Sequence, residues 1–180
     1  MRKLLIGLII PICVSAAEFK CFVTHNGRGV YLAQVLLYAS HYDFGVYPPL
    51  QRGFTNRAGE CTIRDIPAGS YYIVAWAPEF LPEWIQDSSG NPVSVDVSQI
   101  ANYSFQLDLH PDYKPAKVYG IVKDESGNPV ANSLVKFYAK GDLFLGVDVT
   151  DSMGYFCVDS LPQDIFARVV ISHKMYDDFT

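Results

Sequence analysis

The chain has 180 residues, a formal net charge of −5 and an apolar share of 49%, with 14% aromatic. That share is enough to pack a core, which excludes a disordered chain, and the length suits two small domains. The acidic excess, with no Lys/Arg cluster, excludes nucleic acid or an anionic membrane surface as the expected partner.

The N-terminus reads as an export signal over residues 1–17. Arg2 and Lys3 form a short basic region, residues 4–14 an apolar stretch, and Ser15, Ala16 and Ala17 a small-residue cleavage site. An apolar run of this length, broken by Pro11, falls short of the roughly 20 residues that span a bilayer. Ile10, Pro11 and Ile12 lack the small residue expected before a lipidated Cys13. The expected location is therefore secreted, periplasmic or cell envelope, with no transmembrane segment after signal removal. Cys21, Cys61 and Cys157 are left in an oxidising compartment, an odd number. His25, His41, His110 and His173 are scattered and no CxxC occurs, so neither a metal nor another cofactor is expected.

From residue 18 onward the chain repeats itself. Gly27, Val30 and Val35 recur as Gly127, Val130 and Val135. Thr55, Gly59, Ile63, Ile66 and Pro67 recur as Thr150, Gly154, Val158, Leu161 and Pro162. A repeat this long is a domain used twice. It divides the chain into a first β-sandwich over 18–110, a stiff linker over 111–116 and a second sandwich over 117–180. Apolar residues alternate in short runs bounded by Gly, Pro, Asn and Asp, the pattern of strands rather than helices.

Alternation also assigns faces. With Lys20 in water, Phe19, Cys21 and Val23 face the first core, and after the Gly59 turn Cys61 and Ile63 share the inward side. A disulfide between Cys21 and Cys61 is predicted, with two free buried thiols acting as small hydrophobes as the alternative. Cys157 has the opposite parity and is expected to be unpaired. Tyr71, Ile73 and Ala75 form another inward series. Residues 93–97 and 103–109 read as the last two strands of the first copy. In the second copy Ser133, Val135 and Phe137 face inward. Strict alternation from Phe166 would then bury Arg168, so a one-residue bulge that turns Ala167, Val169 and Ile171 inward is expected.

Nothing in the second copy matches the two strands between 93 and 109, which leaves an open sheet edge. Either the chain is a fragment, or a partner completes the edge by strand addition.

The ordered series Val118, Gly120, Val122, Gly127, Pro129, Val130, Val135, Thr150, Asp151, Gly154, Phe156, Leu161 and Pro162 resembles the carboxypeptidase regulatory-like domain. Gly27, Val30, Val35, Thr55, Gly59, Ile66, Pro67, Gly69 and Tyr71 carry the same resemblance in the first copy. It implies an all-β fold of two tandem transthyretin-like or Ig-like sandwiches, the second lacking its last strands. It also implies an accessory, non-catalytic module. Related hydrolases end in a Tyr-Arg-Gly-Ser motif that residues 175–180 lack, and no triad or metal pair stands in its place. Lys123 sits beside a turn with outward parity, unsuited to an isopeptide crosslink. Asp148, Asp151 and Asp159 are too dispersed for a calcium cage.

The expected function is an exported structural or protein-binding module. The alternative is carbohydrate binding by the long loop after the second strand. There Tyr42, Phe44 and Tyr47 offer rings with a polar surround, and Asp43, Gln51 and Arg52 offer hydrogen bonds. Against this, Phe44 and Tyr47 also read as caps on the end of the sandwich, and Trp76 and Trp84 as packing.

Overall fold

The computed structural model describes residues 17–99, 102–163, 167–174 and 176–179. Residues 1–16 of the expected signal segment 1–17, and Phe166 at the expected bulge, lie outside them. The strands in chain order are β1 (Ala17–His25), β2 (Arg28–Gly29), β3 (Gln34–Tyr38), β4 (Gln51–Phe54) and β5 (Glu60–Ile66). Then come β6 (Ser70–Trp76), β7 (Glu83–Trp84), β8 (Ser94–Asp96), β9 (Tyr103–Gln106) and β10 (Pro115–Ile121). The last are β11 (Leu134–Ala139), β12 (Leu143–Val149), β13 (Tyr155–Pro162), β14 (Arg168–His173) and β15 (Tyr176–Phe179). Only short 3-10 turns interrupt them, at His41–Asp43, Val97–Gln99 and Lys140–Asp142. The fold is all-β, as the alternation predicts.

In the N-terminal half β1 pairs antiparallel with β5 and β2 and parallel with β9, while the opposing sheet runs β4-β3-β6, with β7 and β8 both on β6. The expected inward residues meet between these sheets: Phe19, Cys21, Val23, Cys61, Ile63, Tyr71, Ile73 and Ala75 belong to one buried cluster. Phe105 and Leu107 complete it from the β9 side.

The C-terminal half repeats the pairings. Phe19↔Ile63 and Cys21↔Cys61 across β1 and β5 recur as Val118↔Val158 and Gly120↔Phe156 across β10 and β13. The second sheet is β12-β11-β14-β15. Strand β14 follows the expected bulged parity, since Val169 and Ile171 lie opposite Phe137 and Val135. Arg168 is turned outward, its guanidinium 5.2 Å from the Tyr138 ring and paired with Asp142.

The repeated Thr and Gly positions have a common mechanical cause. Thr55 Oγ1 donates to Val30 O at 2.5 Å, and Thr150 Oγ1 donates to Val130 O at 2.7 Å. Each buried hydroxyl pins the corner that precedes a central strand, so its chain polar groups are satisfied without water. Gly59 and Gly154 follow at φ of +81° and +72°, where a Cβ would lie 2.3 and 2.5 Å from the carbonyl oxygens of Val23 and Val122. No other residue fits that approach.

One feature is absent from the alternation. Strand β3 is buried along its whole length. Its inward side, Val35 and Leu37, packs in the first core, while Leu36 and Tyr38 join Val74 and Trp76 in a second cluster with Val135, Phe137, Leu143 and Leu145. The outer face of the N-terminal sheet is thus covered by the C-terminal half. At the seam, Gln34 Nε2 donates to Phe144 O at 2.9 Å and Gln34 Oε1 accepts from Phe144 N at 3.0 Å. The side-chain amide serves Phe144 as a neighbouring strand would. Arg52 Nη2 adds a 2.5 Å bond to Asp142 O.

Replacing Gln34 with Leu leaves both polar groups of Phe144 without this partner. Such losses cost about 1–3 kcal/mol, so urea unfolding of Gln34→Leu is expected to show a loss of stability in that range. A loss under about 0.5 kcal/mol, the size of a neutral surface change, would mean that the seam does not depend on the pair.

Candidate functional site

The long loop between β3 and β4 is not one aromatic surface. Ser40 Oγ accepts from Tyr42 N at 3.3 Å, which starts the 3-10 turn His41–Asp43. Asp43 O then accepts from Val46 N and Tyr47 N. This winding separates the rings. Tyr42 is 79% and Tyr47 61% exposed. Phe44 turns back into the second cluster, edge-on to Tyr38, Trp76 and Trp84 with centroids 6.2, 6.1 and 5.7 Å away. Of the three expected ligand rings, two face solvent and one is packing, as are Trp76 and Trp84.

The polar residues assigned to this loop are partly committed elsewhere. Arg52 is held by the seam and Gln51 lies in β4 opposite Leu37. The His41 ring lies 3.9 Å from Tyr42 and 5.2 Å from Tyr72. Its Nδ1 is buried without a hydrogen-bond partner among the described residues. Burial pushes the Tyr38 phenol up to about 12, so it stays protonated beside Phe44. The loop floor is the turn Lys140–Asp142, where a Cβ on Gly141 would come 2.9 Å from the Gly45 carbonyl carbon. The loop is therefore clamped to the C-terminal half.

Cys21 and Cys61 are opposite partners on β1 and β5, both buried, and both are thiols here. A hydrogen bond to Cys61, then burial, holds the Cys21 thiol above its ordinary range. Directly opposite residues of an antiparallel pair lie about 4.5–5.5 Å apart at Cα, inside the span of a disulfide. Their counterparts are Gly120 and Phe156, and a Cβ on Gly120 would come 2.9 Å from the Phe156 ring. The first half fills this space with two medium side chains, the second with none and one large. Cys157 is half-buried and lies opposite Tyr119.

The dispersed acids each have a local task. Asp148 Oδ2 accepts from Cys157 N at 2.7 Å and Asp151 Oδ1 from Met153 N and Tyr155 N. Asp159 pairs with Lys117 at 2.8 Å. Among the described residues no three His, Cys, Asp or Glu side chains converge as a metal site would need. No helix among them is long and apolar enough to cross a membrane.

Sequence reasoning did not single out the outer face of β10 and β13. Tyr119 lies opposite Cys157 and Ile121 opposite Tyr155. Tyr119 is 67%, Ile121 55% and Tyr155 41% exposed. The corresponding face of β1 and β5 carries Glu18, bonded to Lys20 at 2.6 Å and Arg64 at 3.2 Å, with Phe22 exposed at the place of Ile121. The signal was legible as apolar residues at outward positions of a strand with an alternating pattern.

No family model matches the chain, and no curated protein matches it. Several solved structures are similar to it. The TIE protein of Bacillus anthracis has 14% identity and a TM-score of 0.33, over 87% of this chain and 31% of that one. This chain thus spans about a third of that protein. A DUF3823 family protein from Parabacteroides merdae has 11% identity and a TM-score of 0.31, over 87% of this chain and 90% of its own. The shaft pilin SpaA of Lactobacillus rhamnosus GG has 12% identity and a TM-score of 0.33, over 92% and 93%. Likenesses of this size carry no argument about what the chain does.

Packing and exposure separate the loop rings energetically. Phe44→Ala is expected to lower stability by about 1–3 kcal/mol through lost core contact. Tyr42→Ala and Tyr47→Ala should stay within about 0.5 kcal/mol. Thermal or urea unfolding of the three variants checks the order.

Proposed function

We propose that the chain is an exported, non-catalytic interaction module made of two carboxypeptidase regulatory-like sandwiches, acting at the cell envelope or outside the cell. The observation that carries this reading is the outer face of β10 and β13, where Tyr119, Ile121 and Tyr155 stand exposed together. Clustered apolar side chains on one face of a strand pair mark a place where another molecule sits. Aromatic residues suit such contacts because they bring large area with a polar tip.

A second reading is kept for the loop. Exposed Tyr42 lies against a half-buried wall of His41 and Tyr72, and Tyr47 is exposed on the same loop, a surface on which a sugar ring would stack. The two readings part in one experiment. Purified protein is incubated with cell envelopes and with insoluble polysaccharides, beside Tyr119→Ser/Tyr155→Ser and Tyr42→Ala/Tyr47→Ala double variants. Loss of envelope retention in the first variant alone supports the interaction face. Loss of polysaccharide retention in the second alone replaces it with carbohydrate binding.

Export would also oxidise the Cys21–Cys61 pair. Closing a loop of this size with a disulfide contributes about 2–4 kcal/mol. Protein prepared under oxidising conditions is expected to yield a Cys21–Cys61 linked peptide in mass spectrometry and to unfold at higher urea than its reduced form. Recovery of both as free thiols after oxidation would leave them as core packing.

A further inference from the structure

Two polar atoms at the start of the β3–β4 loop, Tyr38 Oη and His41 Nδ1, are buried without a hydrogen-bond partner among the described residues. Such atoms are rare in folded chains, because a hydrogen bond left unmade is expensive once water is excluded. Two of them within one turn of chain single out this place. Tyr38 is 1% exposed at the end of β3, opposite Tyr72 of β6. His41 follows in the 3-10 turn, its ring 5.2 Å from Tyr72 and 6.4 Å from Trp84. Phe44 joins the two positions, since it stands edge-on to both Tyr38 and Trp84. The orphaned atoms therefore belong to one wall of aromatic rings.

The wall has a movable cover. The Tyr42 ring lies 3.9 Å from the His41 ring, yet Tyr42 is 79% exposed. Exposed side chains change rotamer on the ps–ns timescale, so Tyr42 can swing away and uncover the half-buried His41 ring beside Tyr72 and Trp84. The electrostatics further in favour no ion. Besides burial, Arg52 draws the Tyr38 phenol down and Asp43 pushes it up. A cation and an anion would each meet one attractive and one repulsive charge there. A neutral hydroxyl suits the two orphaned atoms, because it can donate to an imidazole nitrogen and accept from a phenol at the same time.

We infer that His41 and Tyr38 are the hydrogen-bonding anchors of a binding site for a neutral sugar, entered by displacing the Tyr42 ring. The sugar lays its C–H face on the aromatic wall and Tyr42 closes over it, so the rings supply contact area. The two polar atoms supply orientation, the division of labour usual in small-molecule sites. The inference rests on the carbohydrate reading of the loop. It adds the charge class of the ligand and the two groups that recognise it, neither of which is an exposed tyrosine.

The test titrates neutral cellohexaose, maltohexaose and mannohexaose, and anionic hexagalacturonate, into isotopically labelled protein followed by NMR. Saturable binding of a neutral probe is expected, with a shift of the His41 Nδ1 resonance at saturation. Tyr38→Phe and His41→Phe each keep a ring and remove the polar atom. Each should weaken binding about 3–10-fold, the worth of one net hydrogen bond. The urea midpoint should hold or rise in both, because the group removed has no partner in the unliganded protein. No saturable shift with any neutral probe, tighter binding of hexagalacturonate, an unmoved His41 Nδ1 resonance, or wild-type affinity in either variant would each overturn the proposal. Polysaccharide retention that is lost in Tyr42→Ala/Tyr47→Ala but kept in full by both single variants would remove these anchors and leave the loop standing as a sugar-binding surface.

Discussion

The structure hinges on the burial of β3 from both sides. Val35 and Leu37 anchor the first core, while Leu36 and Tyr38 anchor the cluster shared with the C-terminal half. A strand in that position has no solvent face, and its one polar residue, Gln34, is fully buried. Such a group is tolerated only when hydrogen-bonded, and Phe144 supplies both a donor and an acceptor. The loop after β3, the β4 edge and the Lys140–Asp142 turn are placed by that contact. So is the exposure of Tyr42 and Tyr47, because the clamped loop has to turn Phe44 inward.

Around that seam the two halves solve the same problem with different side chains. The corner threonines Thr55 and Thr150 and the turn glycines Gly59 and Gly154 keep their places because their tasks are backbone tasks, which few residues meet. The space between the first two paired strands is less demanding. It is filled by Cys21 with Cys61 in one half and by Phe156 over Gly120 in the other. Only the total volume is held, as close packing requires. The cysteine pair is therefore legible as a packing solution whatever its oxidation state.

The halves then diverge in how they meet their surroundings. The face of β1 and β5 is laced with Glu18, Lys20 and Arg64, which suits water. The face of β10 and β13 presents Tyr119, Ile121 and Tyr155 beside the Lys117–Asp159 pair.

Strand positions, inward faces, the turns and even the parity that turns Arg168 outward were legible in the sequence, because each is set by neighbours within a few residues or by the comparison of one copy with the other. Alternation also placed Cys21 and Cys61 on the inward side, and the structure sets them opposite each other as thiols. What alternation cannot say is what lies on the far side of a face. Leu36, Tyr38 and Val74 alternate with the inward residues of β3 and β6, and only the packing of the C-terminal half made that side a core. The run of apolar residues in β3 was the available signal, since two-sided burial removes the polar half of the pattern. Likewise the sequence marked loop 42–47 as aromatic, but only the tertiary structure divided it into a buried Phe44 and exposed tyrosines. That division depends on contacts such as Gln34 with Phe144, 110 residues apart, and no local rule reaches so far along the chain.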